Sequence, residues 1–357
     1  MILNESIPKI SWGQMLIVLL ICRIFTLMTY VPLISDGYNF QIQLVAAIIS
    51  TVIQAIIIIP LVLFNKVSPN ESVTSAIINK NKILGYCAGI LYLIFFMTYA
   101  VSALLHFMRF LNDRFFPETD HALMLFILIA VCAYCAYCGI EGLSRSSLIV
   151  LIFFIIMLIV MAVSSAQSFD TVNFYSYDNK GLFAAVTEDL ARNSEIVAAA
   201  FLIKNVKNRC KCSLYGLLAA KLILSEIITA LIIGVLGDFS KYTDYPFMTI
   251  GSYSGAGFFQ RNDAIYLILW TVTAVISIAL FIALSGELLK EFFPKIKLQN
   301  SIISAVIFAA ALFFTYTDMD ITSLRGYICG AVSLIILAGI IPLCLWLSTK
   351  GSVKNEK

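Results

Sequence analysis

Apolar runs close to the ~20 residues that cross a bilayer as a helix recur along the whole chain, and one of them carries charge in its middle. That run is residues 181–203, GLFAAVTEDLARNSEIVAAAFLI, interrupted by Glu188, Asp189, Arg192, Asn193, Ser194 and Glu195. Charge at bilayer depth is costly, so such residues face a protein interior or a watery cavity. Four ionisable groups within eight residues point to a broken helix at a ligand site, with the other apolar segments as its container. Only 13% of the 357 residues are charged, about half the ~25% of a soluble protein. An all-α polytopic membrane protein is expected, a single integral membrane domain over residues 1–357.

Ten transmembrane helices are predicted, at 12–34, 41–64, 83–111, 122–140, 146–166, 181–203, 213–236, 262–289, 299–317 and 324–348. With the N-terminus inside, the cytoplasmic side holds fifteen Lys and Arg and the outer side six. The positive-inside rule then places both termini in the cytoplasm. The first run is full length and lacks a signal-cleavage pattern, so it is expected to remain as an anchor. The longest polar stretches, 65–82 and 237–261, are too short for a soluble domain. No basic arm with interleaved aromatics supports nucleic-acid binding.

Ten spans divide into 12–166 and 181–348, two halves of opposite topology. Inverted repeats of that kind mark many secondary transporters, whose discontinuous helices bind ligand near the midplane. The expected architecture is therefore a 5+5 inverted-repeat, transporter-like fold with broken helices 1 and 6. Arg23 lies near the centre of the first span, with Thr26 and Thr29 following. At 1.5 Å per residue, Arg23 and Arg192 each sit roughly 16 Å into their helices. The halves share no visible sequence similarity, so the repeat rests on topology alone.

Glu188, Arg192 and Glu195 share one face of an unbroken helix, where Glu188 and Arg192 have the favourable i,i+4 order. In one reading these charges only neutralise one another. In the other the chain unwinds at Asn193–Ser194, since Asn tolerates non-helical backbone and Ser194 caps a half-helix starting near Glu195. Free N–H groups there attract a carboxylate. Arg23 is either a buried partner of the acids or a bidentate ligand for a carboxylate, and Lys221 is a second candidate partner. Phe96 and Tyr99 in span 3 and Ser277 in span 8 are pocket candidates, although aromatic faces and intramembrane hydroxyls also serve packing.

Enzyme chemistry has little support: HExxH, GxSxG and P-loop patterns are absent, and only Asp189 is clearly an aspartate at mid-span. Cys132, Cys135 and Cys138 recur every three residues, with His106 and His121 at other helix ends. A zinc site usually takes four ligands, so these cysteines are read as packing residues. No metal or cofactor is expected.

The stretch DYPFMTIGSYSGAGFFQRNDAIYLILWTVTAVISIALFIALSGEL contains Tyr245, Pro246, Arg261, Asp263, Ala264 and Trp270 in a distinctive order. It resembles the matching region of the spore germination B-subunit permeases, within the amino acid/polyamine/organocation superfamily. Ser11, Gln14 and Arg23 in the first span and the apolar run after Glu195 are similar too. Asn193 stands where that family tends to have glycine, Leu202 near an expected proline, and Glu188, Asp189 and Arg192 are additional charges.

The resemblance implies a nutrient-germinant receptor subunit in the inner membrane of an endospore. It also implies an A-subunit membrane protein and a C-subunit lipoprotein as partners. The expected ligand is a small nutrient, such as an amino acid, held by Arg23, Thr26, Phe96, Tyr99, Asn193, Ser194, Glu195 and Ser277. Glu188, Arg192, Lys221, Asp263 and Trp270 are assigned structural or gating roles. A proton-coupled amino-acid permease of the cell membrane and a ligand-free structural subunit remain the alternatives.

Overall fold

The computed structural model describes residues 10–29, 39–68, 71–175, 181–207, 213–253, 263–317 and 319–355. The helices, in chain order, are α1 (Trp12–Thr29), α2 (Phe40–Val67), α3 (Val73–Lys80), α4 (Lys82–Arg114), α5 (His121–Tyr137) and α6 (Gly139–Ser164). They continue with α7 (Leu182–Ala191), α8 (Glu195–Leu202), α9 (Ser213–Leu236), α10 (Pro246–Tyr253), α11 (Asp263–Phe292) and α12 (Gln299–Tyr316). The last are α13 (Ile321–Ile328), α14 (Ala331–Leu334) and, after a π segment over Ile335–Ile340, α15 (Ile341–Asn355).

Among the described residues, eight helical stretches are long and apolar enough to cross a membrane. The fourth expected span is α5, an apolar helix of 17 residues, and the sixth is the pair α7 and α8. Polar side chains mark where several helices begin. Asn81 accepts from Ile83 N and Leu84 N, Asp120 from Leu123 N, and Asp320 from Thr322 N and Ser323 N, each supplying partners for amides that the helix leaves free. Between α5 and α6 the chain turns at Gly139, with φ +82°, a conformation that favours glycine.

The layering is that of a membrane protein. Val52, Ile56, Phe126, Phe153, Val163 and Ile268 are exposed on the outer faces of their helices. So much apolar surface suits a hydrocarbon surround rather than water. At the centre lies α1, buried continuously from Ile21 to Thr29, packed against α6, α8, α9 and α11. Every residue of α8 is buried as well. Large rings fill the space between α4 and α11: Phe96 and Tyr99 lie 5.6 and 4.0 Å from Phe281.

Candidate functional site

The sixth apolar run is interrupted. Helix α7 stops at Ala191, residues 192–194 turn, and α8 begins at Glu195. Two amides in the turn find nearby carbonyls, Arg192 N donating to Asp189 O and Asn193 N to Leu190 O. Asn193 Nδ2 also donates to Asp189 O. Ser194 occupies the position before α8, yet its φ and ψ of −63° and −22° are helical and its side chain makes no capping bond. A capping serine needs extended backbone to aim its oxygen at the following amides, so the expected cap does not form.

The first span behaves differently from expectation. Helix α1 is continuous through Arg23, so no break falls within Trp12–Thr29. Its hydroxyls bond to carbonyls one turn back, Thr26 Oγ1 to Cys22 O at 3.0 Å and Thr29 Oγ1 to Phe25 O at 2.7 Å. Those polar groups are accommodated by the helix itself and require no unwinding. The remainder of the expected span lies outside the described residues.

Buried charge gathers around the break. Arg23, 2% exposed, donates from Nη2 to Asp189 Oδ1 and from Nη1 to Arg192 O, both at 3.3 Å. Ser50 on α2 donates to the other oxygen of Asp189. From α9, Lys221 donates to Asn193 Oδ1 at 2.5 Å and to Gln54 Oε1 on α2. Its Nζ is 3.6 Å from Glu195 Oε1. The charges of Arg23, Lys221, Asp189 and Glu195 sum to zero, but their hydrogen bonding is uneven. Both carboxylate oxygens of Glu195 and the hydroxyl of Ser194 are buried with no hydrogen-bond partner among the described residues.

The remaining predicted residues fall into place around this cluster. Thr26 Oγ1 is 3.3 Å from the hydroxyl of Tyr99. Phe96 packs on Phe201 of α8, with ring centroids 5.4 Å apart. Ser277 is buried, its hydroxyl donating to Thr273 O at 2.8 Å. Glu188 and Arg192 are half-buried at the end of α7. Trp270 lies further along α11, donating from Nε1 to Thr29 Oγ1 at 2.9 Å and stacking edge-on against Phe110 at 3.6 Å. Arg261 and the side chain of Asp263 lie outside the described residues.

Three contributors escaped the sequence reading. Ser50 and Gln54 reach the break from α2, and with Gln43 they form a buried polar set on an otherwise apolar helix. Their spacing of seven and four residues places them on one face, a signal present in the sequence. Arg325, expected on the outer side at the very start of the last span, is 9% exposed and holds its guanidinium 5.6 Å from the centre of the Tyr99 ring. Helix α13 begins earlier than the apolar run suggests because Asp320 caps it, and this carries Arg325 into the bundle. Among the described residues, no group of His, Cys, Asp and Glu side chains forms a metal-ligand cluster.

Central buried charge, an interrupted helix and a shell of apolar helices are those of an all-α, multi-pass membrane protein. The chain belongs to the spore germination protein family, whose spore-permease pattern matches residues 9–321. That is a permease-like membrane family rather than an enzyme family. A search among curated proteins found no match.

Proposed function

We propose that the protein is the membrane subunit of a spore nutrient-germinant receptor and binds an amino acid at the break between α7 and α8. The observation that carries this reading is Glu195, 1% exposed and without a hydrogen bond to either carboxylate oxygen. A buried acceptor left without a hydrogen bond costs about 1–3 kcal/mol, and Lys221, 3.6 Å away, offsets the charge of Glu195 without supplying that bond. A ligand ammonium placed there, beside the Ser194 hydroxyl, satisfies it. Thr26, Tyr99 and Ser277 supply polar contacts, Phe96 forms a wall, and Arg23 with Asn193 fixes the shape of the turn. Glu188, Arg192, Lys221, Asp263 and Trp270 serve structure and gating.

Binding shifts the balance between two bundle states, and an A-subunit membrane protein with a C-subunit lipoprotein reads the shift. In this proposal the chain crosses the spore inner membrane ten times as two inverted repeats, with both termini cytoplasmic. A second reading, a proton-coupled amino-acid permease, draws on the Lys221–Glu195 pair, because paired intramembrane ionisable groups also serve proton relays. Equilibrium binding and timed uptake of tritiated amino acids in proteoliposomes separate the two. Saturable binding without accumulation supports the receptor, and accumulation against a gradient supports the permease.

A further inference from the structure

A second charged cluster lies away from the break, where α8 ends. Lys204, just beyond α8, places its Nζ 2.9 Å from Glu287 Oε2 and 3.1 Å from Glu291 Oε1, both on α11. Glu291 also accepts from Ser72 Oγ at 2.7 Å and from Thr74 Oγ1, at the start of α3. Glu287 accepts from Asn205 Nδ2 at 3.2 Å. The segment preceding α1 joins the same place through its backbone. Ile10 N donates to Asn205 O at 2.8 Å, and Lys207 N donates to Ile10 O at 2.9 Å.

These contacts connect particular helices. Arg23 and Thr26 are on α1, Glu195 on α8 and Ser277 on α11, and all three helices have an end in this cluster. Lys204 lies nine positions beyond Glu195, roughly 14 Å at helical rise. The closure toward the other end of α11 has different chemistry. There Trp270 packs against Phe107, Phe110, Tyr245 and Tyr266.

We infer that Lys204, Glu287 and Glu291 form an electrostatic latch that holds α1, α3, α8 and α11 together on one face of the bundle. Opening of the site toward that face requires Lys204 to leave the two carboxylates. Removing the lysine takes away the ionic contact that ties the end of α8 to Glu287 and Glu291 on α11, which favours separation of α8 from α11. The aromatic closure has no part in this balance and stays shut. The inference concerns the protein without ligand, so it stands or fails separately from the role given to Glu195.

Hydrogen exchange of the full-length protein in lipid nanodiscs, without ligand, tests it. In Lys204→Met, residues 199–207 and 71–81 should exchange roughly tenfold faster than in the wild type, as expected for loss of charge-assisted hydrogen bonds. Residues 245–253 should be unchanged, and Lys204→Arg should restore protection. Glu291→Gln provides a second variant if the methionine variant does not accumulate in the membrane, with the same pattern expected. Exchange at 199–207 within about twofold of wild type, or an equal increase at 245–253, would overturn the latch.

Discussion

Arg23 and Asp189 illustrate how strongly a buried charge depends on its partner. Each is almost fully enclosed, and the two are 3.3 Å apart. Removing one member of such a pair typically costs 3–5 kcal/mol, whereas replacing both with apolar side chains is often neutral. Arg23→Met is therefore expected to lower unfolding stability by about 3–5 kcal/mol, and adding Asp189→Leu should recover most of the loss. Thermal unfolding of the purified variants in one detergent measures both. Glu195→Gln belongs to another category. Glu195→Gln keeps the shape of the side chain, and Lys221 retains its bonds to Asn193 and Gln54, so the variant should reach the membrane in normal amounts while its ligand response weakens about tenfold or more, as for loss of a charged hydrogen bond. Sequence could nominate Arg23 and Lys221 as partners for the span's acids because intramembrane charges must be paired. It could not assign the pairs, because the turn at 192–194 determines that Asp189 meets Arg23 and Glu195 meets Lys221.

Single elements depend on a few polar contacts at their ends. Asp320 accepts from the amides and hydroxyls of both Thr322 and Ser323. Led by the Ser323 side chain, these bonds hold its carboxyl well below the usual carboxylate range. The cap is therefore fully present at neutral pH and is lost only as pH falls through that depressed value. Asp320→Ala should cost about 1 kcal/mol, seen as a lower thermal midpoint, and should loosen Arg325 over Tyr99. Lys204 has the opposite sign. Burial alone would lower its pKa, but Glu287 and Glu291 raise it above the ordinary lysine value of 10.5. Its contribution is present below that value and is lost as pH rises through the raised pKa. Exchange protection attributable to this lysine should therefore be flat from about pH 7 to about pH 9. The break in the sixth run was legible because charge cannot remain in an apolar helix without a reason. Arg23 suggested a similar break in the first span, but α1 accommodates its threonines through its own carbonyls while Arg23 finds partners at α7 and the turn. Hydropathy reports the cost of a polar residue, not the neighbour that offsets it.

For the whole molecule, the recurrent apolar runs exposed the membrane class, and several pairs of residues separated by more than a hundred positions build the candidate site. Gln54 and Lys221, or Ser50 and Asp189, meet only because α2, α7 and α9 pack together. No local pattern encodes that meeting, although the polar set on α2 marked which face would be used. Membership of the spore germination family gives the buried centre a biological setting. The most direct measurement is equilibrium binding of tritiated proteinogenic amino acids to the full-length protein in proteoliposomes, with Glu195→Gln measured in parallel. At least one amino acid should bind saturably to the wild type, without accumulating inside, and at least about tenfold more weakly to Glu195→Gln. Equal affinity in the two proteins, or no binding of any amino acid by a folded wild type, would contradict a ligand site at the α7–α8 break.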